Sequence, residues 1–404
     1  MGEVVVIRSI AGGGDGVGTL ADGRTVFVPR TAPGDQVRLR AIDRRKRFAR
    51  AEIAEIVVPG PGRTTPPCPH YLVDRCGACQ LQHLDDAAGR DVRRQIVGDA
   101  MRRLARVDVA DPPMHGEGPP FGYRTSITLT IRGGLIGYHR LGAPDQLVDV
   151  RDCLLATDAL RGLLRALRSA RTALPSDAEQ VVLREDDGGG LHLVVRTAGR
   201  EGWTTAGALL ARLPDGTRLW WHPTGGAARV MSGGGDPFPA TVFRQVNPGV
   251  AAAVREHAIQ ALGAVAGHQV WDLYAGIGES TVRLHALGAQ VSSVEWDVRA
   301  VALAEARGPA GPVRRTGDVA DCLAALTPPE LVLTNPPRAG MEERVTTKLL
   351  DCTARRIVYV SCDPATLARD VVRLSARYRL ADVSAWDQFP QTAHVECVAT
   401  LEAA

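Results

Sequence analysis

The final 170 or so residues restrict the fold more than any other part of the chain. Five short apolar segments lie there: Gln269 to Leu273, Gln290 to Val294, Pro312 to Thr316, Leu331 to Thr334 and Arg356 to Ser361. From about residue 238 they alternate with stretches of helical patterning. Short strands separated by helices predict a doubly wound α/β domain, and such open sheets bind ligands beyond the carboxyl ends of their strands.

Those ends carry the polar residues. Asp272-Leu273-Tyr274-Ala275-Gly276-Ile277-Gly278 closes the first strand and opens a helix, and its glycines let the backbone approach a ligand closely. The pattern is G-x-G without the third glycine of a dinucleotide fingerprint, so a pyrophosphate is not its natural guest. Glu295 ends the second strand, where a carboxylate accepts from both hydroxyls of a ribose. Asp318 falls after the third, within reach of an adenine edge, and Asn335 after the fourth. Four such ends in order predict a nucleoside site. Cys362, in Tyr359-Val360-Ser361-Cys362-Asp363-Pro364, follows the fifth strand on the same rim. Most free cysteines are inert core residues, so position alone leaves its role open. The tail Phe389-Pro390-Gln391-Thr392-Ala393-His394-Val395-Glu396 puts a histidine and a glutamate two apart, on one face of an extended segment.

Upstream, residues 1 to about 58 read as five short strands, with a hairpin turn at Asp22-Gly23, and predict a small β-barrel of a class often used to hold nucleic acid. Gly12 to Gly16 reads as a flexible loop; no Gly-Lys-Ser/Thr follows to make it a phosphate loop. Arg38, Arg40, Arg44, Arg45, Lys46, Arg47 and Arg50 crowd one stretch of that barrel and could neutralise phosphates, although a solvated strand surface explains them equally well. The net charge of +3 does not decide between the two. A Pro/Gly-rich linker runs from Pro59 to Pro67, and a helix is predicted from Asp85 to about Arg106 with Leu84, Ala88, Val92, Ile96, Ala100 and Leu104 on one stripe. Residues 112 to about 237 read as strand-rich, with hairpins about Gly133-Gly134 and Gly188-Gly189-Gly190. The organisation expected is a barrel over 1–58, a central α+β domain with a cysteine cluster over 59–237 and the α/β domain over 238–404. No apolar run is long enough to span a membrane and no signal peptide is visible, so a cytoplasmic protein is expected, a monomer with no obligate protein partner.

Three of the eight cysteines, Cys68, Cys76 and Cys79, lie within twelve residues. In a cytoplasmic protein such clustering points to metal binding or chemistry before disulfides.

Taken together, Phe243-Arg244-Gln245-Val246-Asn247, the Asp272 to Gly278 segment, Asn335-Pro336-Pro337-Arg338-Ala339-Gly340, Ser361-Cys362-Asp363-Pro364 with Leu367-Ala368-Arg369-Asp370, and the Phe389 to Glu396 tail resemble the RNA uracil-C5 methyltransferase family. The barrel resembles a TRAM domain. The resemblance implies an S-adenosylmethionine-dependent, Rossmann-like enzyme acting on RNA, with Cys362 as nucleophile and Glu396 as the base for the C5 proton. It implies that Gln245, Tyr274, Glu295 and Asn335 hold the cofactor, with Glu279 and Asp318 beside them. Cys68-x7-Cys76-x2-Cys79 resembles the iron–sulfur segment of the family's ribosomal RNA branch, with Cys153 as fourth ligand. Four thiolates suit a [4Fe–4S] cluster or zinc on ligand count alone. Barrel and cysteine cluster together favour 23S ribosomal RNA over tRNA. Ala275 stands for the family's usual cysteine, Asn335 for a frequent aspartate, and Asp363 for the usual asparagine. The last of these raises the thiol pKa unless its carboxylate is paired elsewhere. Of Tyr123-Arg124-Thr125-Ser126, only the Tyr-Arg matches the family.

Three other readings compete. A radical S-adenosylmethionine enzyme would have a Cys-x3-Cys-x2-Cys spacing. A non-catalytic RNA-binding protein would not need Cys362 together with Glu396. An amino methyltransferase would carry an aromatic residue where Arg338 follows Asn335-Pro336-Pro337.

Overall fold

A computed structural model describes residues 2–199, 202–232 and 240–404, so the change of character expected at 237/238 lies outside the described residues. The chain forms two compact units. One comprises Met1–Arg63, Leu84–Glu117 and Gly249–Ala404, the other Thr64–His83 and Gly118–Pro248. Among the described residues no helix is long and apolar enough to cross a membrane.

In the first unit the N-terminal residues form a six-stranded sheet. Val4–Val6 pairs with Gln36–Arg44, while Ser9–Ile10, a few residues on, pairs with Asp15–Thr19. One segment thus edges both ends of the sheet and closes it around Val5, Ile7, Leu20, Val26, Val28, Val37, Leu39, Ala49 and Ala51. The Asp22-Gly23 turn is present, with Gly23 at φ +84°. The glycine loop expected over 12–16 is shorter than its sequence suggests, because Asp15 and Gly16 begin a strand. Gly16 is there for want of space: a Cβ would lie 1.8 Å from Thr31 Oγ1.

Helix Asp86–Ala100 follows, its N-terminus capped by Asp85, which accepts from the Ala88 N–H. It continues as a π-turn over Met101–Ala105 and stops at Arg106, at φ +58°. The expected apolar stripe holds as far as Ala100. The wider turn then rotates the register, so Met101 is buried and Leu104 is 53% exposed. The stripe also contains one charge, Arg93, which is fully buried.

The large sheet of this unit runs, from one edge, Val313–Thr316, Gln290–Glu295, Gln269–Leu273, Leu331–Thr334, Arg356–Ser361, Glu396–Ala403, Tyr378–Trp386 and Met114–His115. The first five are mutually parallel and match the five strands expected; Glu396–Ala403 is antiparallel to its neighbours. Chain order reverses between Gln269–Leu273 and Leu331–Thr334, and that switch opens a crevice at the carboxyl ends. Val270, Leu273, Leu331, Val332, Ile357 and Val358 are fully buried, as strands covered on both faces must be.

The second unit holds a seven-stranded sheet in the order Ala143–Asp149, Leu135–Arg140, Ser126–Arg132, Ala178–Glu185, Leu191–Thr197, Arg218–Pro223, Arg229–Val230. Both expected hairpins are there. Leu160, Leu163, Leu164 and Leu167 of helix Asp158–Ser169 are fully buried in the core of this unit.

Candidate active site

The crevice is shaped by a backbone that only a glycine-rich turn adopts. Tyr274, Gly276 and Gly278 have φ of +60°, +57° and +81°. A tyrosine in the left-handed region is strained, and such strain persists where surroundings over-determine it. Those surroundings are visible. Asp272, fully buried, accepts from the hydroxyls of Ser280 (2.7 Å) and Thr281 (2.6 Å) and so ties the strand to the following helix. Burial lifts its carboxyl to about 6. Glu295 ties the far side: Oε2 accepts from the Gly276 N–H at 2.8 Å, and Oε1 from those of Trp296 and Asp297. Asn335 continues the fourth strand, its N–H donating to the Leu273 carbonyl at 3.2 Å. Asp318 caps the short helix Val319–Cys322 through the Ala320 N–H. Burial, with Asp318 and Glu342 nearby, pushes the Tyr274 phenol up. Tyr274, Glu295, Asp318 and Asn335 therefore line one strand rim. Glu279 opens the next helix but pairs with Arg255 at 2.9 Å. Gln245 lies in the second unit, in the segment preceding helix Pro248–Ala261.

The pairing of Cys362 with Glu396 follows from strand register. Strands Arg356–Ser361 and Glu396–Ala403 are antiparallel, with Ser361 opposite Cys397. One further step sets Cys362 across from Glu396, at the open end of the ladder. Burial pushes the half-buried Cys362 thiol up to about 11; Glu396 adds to the rise and Arg338 opposes it. Glu396 is 3% exposed, and burial raises its carboxyl to about 8. Its Oε2 has no hydrogen-bond partner among the described residues. A buried carboxyl kept neutral and unengaged is a group poised to exchange a proton. Asp363 is indeed paired elsewhere: Oδ1 caps helix Pro364–Leu374 through the N–H groups of Ala365 and Thr366.

The Asn335 to Gly340 loop is pinned by a residue whose role the sequence left unassigned. Asp370 is fully buried and accepts from the Met341 N–H (2.8 Å), the Tyr359 hydroxyl (2.9 Å) and the Arg369 and Arg373 guanidiniums. It stands in the Leu367-Ala368-Arg369-Asp370 motif, seven residues after Asp363. That spacing, two turns of one helix, was the available signal.

The four clustered cysteines behave differently. Cys68, Cys76, Cys79 and Cys153 line one pocket of the second unit, and all are buried. Burial pushes the Cys79 thiol up to about 12 and raises that of Cys153. Among the described residues, no three or more His, Cys, Asp or Glu side chains are drawn together as around a single metal ion. The shared pocket and the absence of a tight cluster are compatible. One ion draws its donors to a point, whereas a four-iron cluster binds each thiolate at a separate iron. On donor type alone the four thiolates suit either.

On the barrel, Arg45, Lys46, Arg47, Phe48 and Arg50 line an open groove. Ion pairs temper the arginine cluster: Arg38 with Glu55, Arg40 with Glu52, Arg45 with Asp43 and Arg50 with Asp15. Lys46 and Arg47 have no ion pair among the described residues.

Comparisons with known proteins find relatives over nearly the whole chain. Residues 327–404 match the model of the tRNA (Uracil-5-)-methyltransferase family. The chain is 34% identical to the 23S rRNA (uracil(1939)-C(5))-methyltransferase RlmD of Halomonas elongata, over 98% of this chain and 89% of that protein. It is 30% identical to the protein of the same name from Thiobacillus denitrificans, over the full length of both. In fold it is similar to the crystal structure of Pyrococcus abyssi tRNA (uracil-54, C5)-methyltransferase in complex with S-adenosyl-L-homocysteine, with a TM-score of 0.76, 23% identity and 99% of each chain covered. The family match encloses Asn335, Cys362 and Glu396, the relatives are matched almost end to end, and the chain belongs to the RNA uracil-C5 methyltransferase family.

Proposed function

We propose that this protein transfers a methyl group from S-adenosylmethionine to C5 of a uridine in 23S ribosomal RNA. The observation that carries the reading is the placement of Cys362 opposite Glu396 at the end of one ladder, beside the crevice lined by Tyr274, Glu295, Asp318 and Asn335. Uracil C5 is a poor nucleophile. Addition of the Cys362 thiolate to C6 moves electron density to C5, which then takes the methyl group. Glu396, as carboxylate, accepts the C5 proton, and loss of the thiolate from C6 restores the ring. Gln245 and Glu279 complete the cofactor-binding set in this reading.

The three-part division, with 1–58 as a TRAM-like RNA-binding barrel, 59–237 as the cysteine-bearing central domain and 238–404 as the methyltransferase domain, accompanies it. Lys46 and Arg47 at the barrel groove are the residues suited to phosphates. Cys68, Cys76, Cys79 and Cys153 would hold a [4Fe–4S] cluster that supports the RNA-binding surface. The 23S relatives and the cysteine pocket favour ribosomal RNA over tRNA. The test is to measure 5-methyluridine in ribosomal and transfer RNA from cells with and without the gene. Loss from 23S RNA alone is expected; loss from tRNA alone would overturn the substrate assignment.

A further inference from the structure

We infer that Asp387 is a positioning residue for the base Glu396, acting through a guanidinium clamp supplied by Arg90 and Arg93. The inference rests on the reading of Glu396 given above.

Glu396 contributes no hydrogen bond of its own through Oε2, so the aim of its carboxyl comes from the backbone that carries it. That backbone is the second arm of a hairpin. Trp386 pairs with Glu396 as the last register pair, and the connecting segment begins at Asp387. Asp387 is 4% exposed and fixed from three directions. Arg90 Nη1 donates to its Oδ2 at 2.9 Å. Arg93 Nη2 lies 2.8 Å from its Oδ1, an ion pair between two buried side chains. Its own N–H donates to the His115 carbonyl at 2.9 Å. Arg90 also donates to the Met114 carbonyl at 3.1 Å, which binds the short edge strand into the same clamp.

A carboxylate facing two guanidiniums inside a folded unit is a costly arrangement if it serves stability alone, because desolvating the charges offsets much of their attraction. Its position gives it another use. Arg90 and Arg93 sit one turn apart on helix Asp86–Ala100, and together they fix the end of the strand directly across from Glu396. The neighbouring Trp386 ring packs 5.0 Å from His115, centroid to centroid, and leaves that strand end little room to shift. A small displacement there would carry the carboxyl away from the C5 proton without touching Cys362.

The two halves of the reaction separate this role from a structural one. RNA containing 5-fluorouridine needs Cys362 and the methyl transfer to form its adduct but offers no C5 proton. Turnover on uridine RNA needs Glu396 as well. Asp387→Asn and the milder Arg90→Gln are expected to lower uridine turnover at least tenfold while the adduct forms at near the parental rate. Glu396→Gln should show the same uncoupling more strongly. An equal fall in both rates for Asp387→Asn and Arg90→Gln, or no change in either, overturns the clamp. Parental turnover by Glu396→Gln would instead sink the assignment of the base.

Discussion

The Asp363 carboxylate stands 3.5 Å from the Arg338 guanidinium, which joins the loop after the fourth strand to the residue that follows Cys362. The negative charge beside Cys362 therefore meets a positive one, and its other oxygen is occupied by the helix cap. Arg338→Gln removes the cation that favours the thiolate. It should raise the Cys362 pKa and slow alkylation by iodoacetamide at pH 8 by about tenfold, an effect of roughly one pKa unit. Asp363→Asn keeps a side chain that can cap and should leave alkylation no slower than in the parent.

Activity should rise with pH through about 8, the value to which burial lifts Glu396, because the proposed base works as a carboxylate. The sign for stability is the reverse. The folded carboxyl holds its proton between its usual 4.5 and about 8, whereas the unfolded one releases it, so stability is lost as pH rises through that window. Glu396→Gln should thus be inactive yet more stable than the parent at pH 8, by on the order of 4 kcal/mol, and equal to it at pH 4. Thermal melts of both proteins across that range check the prediction.

Glu295 has a structural task, and the proposed function gives it a binding task as well. Three backbone N–H groups hold its carboxylate in place, which leaves it preorganised for the ribose hydroxyls. Glu295→Ala should weaken S-adenosylhomocysteine binding by about 10- to 100-fold, the worth of one or two charge-assisted bonds. Calorimetric titration without RNA would measure it.

Gly340 turns the Asn335 loop with φ +77°, and a Cβ there would lie 2.5 Å from Arg369 Nη2 and 2.6 Å from Asp370 Oδ2. Gly340→Ala should cost about 2–4 kcal/mol, combining the left-handed backbone with overpacking against a buried carboxylate. Denaturant unfolding gives the figure, and cofactor affinity should fall with it.

If the four buried thiols hold an iron–sulfur cluster, anaerobic reconstitution with iron and sulfide should give a protein with four irons and a broad absorption near 400 nm, roughly as thiolate-bound clusters show. Cys79→Ser should retain little iron. Stoichiometric zinc with no sulfide uptake would count against the cluster.

Much of this was legible in the sequence because it is local. The turn after Leu273, the strand ends at Glu295 and Asn335, and the Asp22-Gly23 hairpin each follow from backbone geometry set within a few residues. The strand pattern from Gln269 to Ser361 carries its crevice with it, since parallel strands joined by helices put their carboxyl ends on one side. Where spacing misled, a nonlocal or irregular feature intervened. Leu104 leaves its stripe because of a π-turn, and Gly16, inside a run of glycines that reads as loop, is a strand residue crowded by Thr31.

Three things were decided by tertiary structure alone. Cys362 and Glu396 are 34 residues apart, and only the antiparallel register of their strands sets them opposite one another. Whether Asp363 would disable the thiol depended on Arg338, which comes from another loop. Arg93 is one charge among several on its helix, and only folding buries it against Asp387, nearly three hundred residues away. Sequence fixes which groups are present and how the nearby backbone bends; which charges meet, and how far burial moves their protons, depends on distances that exist only once the sheet has closed.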